Sequence, residues 1–415
     1  MDDLRKALFR ALRKSDANML RAVLAQGVSL DFQDGDRCPV FLEAINSNRN
    51  DIEILEILLA AGADLHARFA HDGACALHWV VGRERPDALN WFLTHGLDVN
   101  ARSVDGTTPL MNAIDAREAP GHAEGYGLSL RDIRILLAAG ADAGFADQDG
   151  STALHSAAAR GLTEVADLLL SHGAPIDAPD VCGETPLLRA ASAGRIEMVD
   201  VLLARGANPS AQGARKFGAL HDLAANDAEG MTPAHLEIAE RLIAAGAAPD
   251  MPDEDGLTPL CWAAATGNAE MAKSLLRHGA TADVLGGYAL REAIFFEYDA
   301  IVDCLLDAGA GVDIRWADGD GDWGNVPLTI AAHEDYGHGI AALLNRGADI
   351  AAQTTDGETA LLIAVRCGNH EAADLLLKRG ADRAHADRYG NTAASWALKR
   401  QDAAMTKLLS QHPIL

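Results

Sequence analysis

Aromatic residues are scarce, with 6 Trp, 5 Tyr and 9 Phe among 415 residues, so the core has to be built mainly from aliphatic side chains. Basic residues are outnumbered as well. Against 60 Asp and Glu stand only 35 Lys and Arg, a formal net charge of −25 that repels phosphate backbones and anionic lipid alike. Generic binding to nucleic acid or to a membrane surface is thereby disfavoured. No apolar run approaches the roughly 18 residues needed to cross a bilayer. The stretch from Met1 to Arg10 carries no hydrophobic signal segment, so a cytosolic protein is expected. The six cysteines, Cys38, Cys75, Cys182, Cys261, Cys304 and Cys367, lie far apart with no C-x-x-C pair, which argues against a zinc site or a disulfide framework. Catalytic signatures are missing too: there is no G-x-S-x-G elbow, no G-x-x-x-x-G-K-[ST] loop and no H-E-x-x-H. Neither a cofactor nor a metal is indicated.

What the chain does have is enough apolar character to fold, 49% hydrophobic against 23% charged residues, and a repeat. Glycines in an [LI]-x-x-G-[AVL] setting fall at positions 27, 62, 96, 140, 173, 206, 246, 279, 309, 347 and 380, with an underlying step of 33 residues. A second marker follows at the same spacing: Thr108-Pro109-Leu110, Thr185-Pro186-Leu187 and Thr258-Pro259-Leu260, with variants at Thr152-Ala153-Leu154-His155 and Thr359-Ala360-Leu361. The cleanest unit runs from Asp147 to Asp180. There Ala157 and Ala158 allow close helix approach, Val165, Leu168 and Leu169 form a helical apolar stripe, and Gly173 suits a left-handed helix end.

These motifs resemble ankyrin repeats, with their D-x-x-G-x-T-P-L-H-x-A-A turn and first helix and a second helix ending in L-L-x-x-G-A-D. The resemblance covers essentially the whole chain in about twelve units and implies an all-α solenoid of stacked helix-turn-helix units with β-hairpin fingers. Residues 1–415 then read as a single array with an N-terminal cap at about 1–34, internal repeats at about 35–387 and a C-terminal cap at about 388–415. Three insertions remain, Arg117 to Leu130, Asn226 to Ala234 and Gly311 to Gly324, and none has room for a catalytic domain. The resemblance further implies that His78, His155 and His221 hydrogen-bond turn backbone. Units carrying Met111, Leu188, Cys261, Arg291, Thr329 or Leu362 in that slot are expected to lose the tether.

The implied function is non-catalytic protein binding, as a scaffold, adaptor or inhibitor, through a concave groove and the finger tips. Phe295 and Phe296 stand out, because the aligned slots elsewhere hold small or polar residues such as Ala265 and Thr266 or His333 and Glu334. One reading exposes both rings as an interface, and the other tucks one of them into a gap in this shortened unit. Trp262, Phe295, Phe296, Tyr298, Trp316, Trp323 and Tyr336 fall in one stretch, interleaved with Asp318, Asp320, Asp322 and Glu334. Together with His333 they are the candidate partner-binding residues, suited to a protein partner with a basic and apolar surface. A monomer is expected when free. Trp79, Trp262 and Trp396 share a slot read as packing between inner helices, while Trp91 and Phe92 read as core. Two alternatives stay open. One is a small-molecule or calcium-responsive binding protein using the finger at 311–324, which begins like a calcium loop although Trp323 and Thr329 stand where glycine and a bidentate glutamate are required; the other is an enzyme with an unfamiliar site.

Overall fold

The structure is a computed structural model that describes residues 2–30, 40–46, 52–69, 71–83, 85–115, 130–226, 232–316 and 325–412. Twenty-four α-helices and one short 3-10 helix, Ala214–Lys216, make up the regular structure among the described residues. Strand pairing there is confined to isolated antiparallel bridges at the roots of fingers, such as Ala146 to Thr152 and Gln353 to Thr359. The chain divides into two compact units, Met1–Asn208 and Pro209–Leu415.

Within each unit the helices alternate between an inner and an outer row. In the second unit the inner helices Ala219–Ala225, Pro259–Thr266, Val284–Phe295, Pro327–His333, Ala360–Cys367 and Ala393–Lys399 each pack on the next. The outer helices Pro233–Ala244, Ala269–Arg277, Asp299–Asp307, Gly337–Asn345, His370–Lys378 and Ala403–Gln411 do the same. Small residues explain the close inner row: Ala157, Ala158, Ala190, Ala191, Ala263, Ala264, Ala331 and Ala332 are all buried. Of the expected outer stripe, Val165 and Leu169 are buried and Leu168 is only half-buried, and Trp91 and Phe92 are core residues. One insertion is shorter than its sequence suggests, because Thr232 caps a helix that starts with Pro233 in its first turn.

The inner helices start on a repeated device. His155 Nδ1 lies 3.0 Å from the Thr152 amide and its Nε2 lies 2.9 Å from the carbonyl of Glu184 in the next repeat. His78 and His221 do the same with Thr107 and Leu257. Burial lowers the pKa of all three, so the ring works as a neutral bridge between repeats. Thr329 keeps half of this arrangement: its hydroxyl accepts from the Val326 amide at 2.9 Å but has no reach to the following finger. Successive fingers are joined at their tips by backbone bonds, Gln148 to Asp105 at 2.8 Å and Val181 to Asp149 at 2.9 Å among them.

One unit breaks the pattern. Between Gly279 and Gly309 there is no finger; Leu285, Gly286 and Gly287 take three successive left-handed conformations at the start of helix Val284–Phe295. The next unit fills the space. Ile314 packs so closely on Gly287 that a Cβ there would meet its Cδ1 at 3.0 Å, and the Trp316 indole donates to the Gly286 carbonyl at 2.6 Å.

Candidate functional site

The inner helix of the shortened unit ends at Phe295 with Phe296 as its C-cap, and the chain then turns through Glu297 at a φ of 58°. In four other repeats the equivalent position is glycine, Gly161, Gly194, Gly267 and Gly368. Phe295 is 53% exposed and Phe296 46% exposed. Their rings meet edge to face at 5.0 Å between centroids, and Phe296 stacks on Tyr298 at 5.8 Å. Tyr298 is half-buried against Gly267, where any Cβ would collide with its ring at 2.8 Å, so the aromatic group is anchored from behind by the preceding repeat.

Phe295 also lines a concavity of about 570 Å³ in the second unit, along with Ile330, His333, Glu334, Ile363 and Arg366. Its guanidinium groups have acidic neighbours, Arg291 at 3.4 Å from Glu292 and Arg366 at 2.8 Å from Glu358. Glu334 faces His333 at 2.7 Å rather than an arginine. Beside the rings, Glu297 and Asp299 are exposed, so the apolar surface has an acidic margin.

Two of the expected site residues are not surface groups. Trp316 is 5% exposed because it occupies the space of the missing finger. Tyr336 is 4% exposed, and its hydroxyl donates to Asp299 at 2.6 Å, which together with burial pushes its pKa upward. Their types in an acidic stretch signalled an interface, and packing claimed them instead. Trp262 is half-buried, with its indole N–H given to Asp253 at 2.9 Å and its ring edge-on to Phe217. Arg189 reaches Asp180 from the same slot at 2.6 Å. Asp318, Asp320, Asp322 and Trp323 lie outside the described residues. The structure therefore brings together Phe295, Phe296 and Tyr298, and joins His333 and Glu334 to Phe295 across the concavity. Ile330, Ile363 and Arg366 were missed by sequence reasoning, since a groove lining comes from neighbouring repeats and has no local signature. Among the described residues no group of three or more His, Cys, Asp or Glu side chains could hold a metal, and no helix is long and apolar enough to cross a membrane.

The sequence signature of the family described as ankyrin repeats, three copies, matches residues 41–125, 122–213, 221–315 and 322–414. The chain belongs to the ankyrin-repeat family. Human ankyrin repeat and SOCS box protein 16 is 30% identical over 279 residues, covering 64% of this chain and 51% of that protein. Its mouse counterpart is 33% identical over 264 residues, covering 61% and 48%. An ankyrin repeat protein of fowlpox virus is 28% identical over 147 residues, covering 35% and 40%. The chain spans about half the length, or less, of these curated relatives. Ankyrin repeats are protein-interaction modules, and that coarse function extends to this member.

Proposed function

We propose that this ankyrin array is a non-catalytic scaffold, adaptor or inhibitor, and that its partner docks on Phe295, Phe296 and Tyr298 and on the adjoining concavity at His333 and Glu334. The two compact units then serve as segments of one array over residues 1–415, monomeric and cytosolic when free. The observation that carries the reading is the edge-to-face pair of half-exposed phenylalanines. Leaving two such rings half in water forfeits on the order of 1 kcal/mol each, which a folded monomer gains nothing by keeping. The non-glycine residue held in a left-handed turn beside them adds a further cost, shared by Asp335 and Gln401 at the equivalent position, that the repeats with Gly161, Gly194, Gly267 and Gly368 avoid. The acidic margin favours a partner whose apolar anchor is flanked by Lys or Arg. Affinity capture from native lysate, followed by mass spectrometry, tests this. A stoichiometric protein retained by the wild type and lost by Phe295→Ala with Phe296→Ala is the expected result; equal retention by both would remove this surface as the docking site.

A further inference from the structure

The finger missing between Gly279 and Gly309 is replaced by a segment that one of its own residues does not favour. Leu285, Gly286 and Gly287 lie at φ 53°, 65° and 81°, three left-handed residues in succession. Leucine is the costly one, because its Cβ crowds the following carbonyl oxygen in this region. Burial does not offset that cost, since the side chain is 51% exposed. A backbone of this kind persists only where the surrounding structure over-determines it.

Here the surrounding structure is the start of the next unit. The Asp283 carboxylate accepts from the Gly311 amide at 3.0 Å. Ile314 is wedged between two glycines: a Cβ added at Gly311 would meet its Cγ1 at 2.6 Å, and one at Gly287 its Cδ1 at 3.0 Å. The buried Trp316 indole donates to the carbonyl of Gly286, the middle residue of the three. The Trp316 amide in turn donates to the Asn325 carbonyl at 3.1 Å, and Asn325 lines the concavity of about 570 Å³. Fingers elsewhere in this unit are tied tip to tip, Glu254 to Arg215 at 2.8 Å and Arg388 to Asp356 at 2.9 Å, but at residues 284–287 no finger stands to be tied.

We propose that the left-handed segment and Trp316 form a latch. The seated indole holds Leu285, Gly286 and Gly287 in the strained conformation; its release lets them relax toward extended backbone, while the finger root at Trp316 and Asn325 comes away from the shortened unit. The two arrangements are discrete, because a close-packed ring is either in its slot or out of it. The seated form dominates, since unseating the ring exposes it to water, and the stored strain lowers the cost of leaving. Release moves one wall of the concavity, so a partner that favours either form shifts the balance by its difference in affinity for the two. That consequence rests on the docking surface proposed above, whereas the latch itself is a property of the free chain.

The test is hydrogen exchange of the indole N–H groups, followed by NMR in the full chain without a partner, with the Trp316 signal assigned by its absence in Trp316→Phe. The indoles of Trp91 and Trp262, bonded to Glu56 and Asp253, are internal controls for global unfolding. A Cβ at Gly286 meets open space, so Gly286→Ala adds strain without a clash and should speed exchange at Trp316 about fivefold. Leu285→Gly removes strain and should slow it about threefold. Both controls should change by less than about twofold in either variant. Equal changes at all three indoles, unchanged exchange at Trp316 in Gly286→Ala, or a change of the same sign in both variants would each overturn the latch.

Discussion

At the residue scale the three bridging histidines make stability depend on pH. Burial lowers their folded pKa values below the ordinary 6.5, so their contribution is fully present above that value and is lost as pH falls through it toward the folded values. Carboxylates such as Asp374, held low by Lys378, titrate below this window and do not obscure it. Urea midpoints should therefore drop between pH 7.5 and pH 5.0, and the drop should shrink in His155→Gln, which cannot titrate; an unchanged drop would show that the imidazole is not the cause. A second residue-scale prediction concerns Glu297. Its left-handed backbone carries a penalty of roughly 1 kcal/mol that glycine does not. Glu297→Gly should raise unfolding free energy by about that amount, and a fall would mean that the side chain has a stabilising contact outweighing the strain.

At the element scale the shortened unit is completed by its neighbour, so Trp316→Ala should cost about 3–5 kcal/mol. Hydrogen exchange should accelerate first around Gly286, where the indole is bonded, and uniform acceleration along the chain would contradict a local plug. This element also shows where the sequence was legible and where it was not. The helix pairs followed from a step of 33 residues, because each marker glycine and each T-P-L turn acts within its own unit. The exposure of Phe295 and Phe296 was an open choice between interface and packing; the gap that could have swallowed a ring is filled by Trp316, about twenty residues further on. Sequence reading could set neither this nor the burial of Tyr336, since both depend on contacts between repeats. The histidine bridges were legible because half of each lies within a single turn, from residue 152 to 155 for example.

At the scale of the whole molecule, repeat arrays store stability in neighbouring interfaces, so deletion of residues 388–415 should fray the helices next to the cut and leave exchange in the first unit unchanged. Net charge acts at this scale too. With −25 charges, association with a basic partner should slow and weaken as salt is raised, and an affinity indifferent to salt would count against the acidic margin as a recognition feature. The central claim is that Phe295 and Phe296 are kept for a partner and not for the fold. Affinity for the captured partner and unfolding free energy, measured side by side on Phe295→Ala with Phe296→Ala, test it most directly. The account predicts a loss of about 2–4 kcal/mol in binding with little change in stability. Intact affinity accompanied by a stability loss of about 3–5 kcal/mol per ring would contradict it.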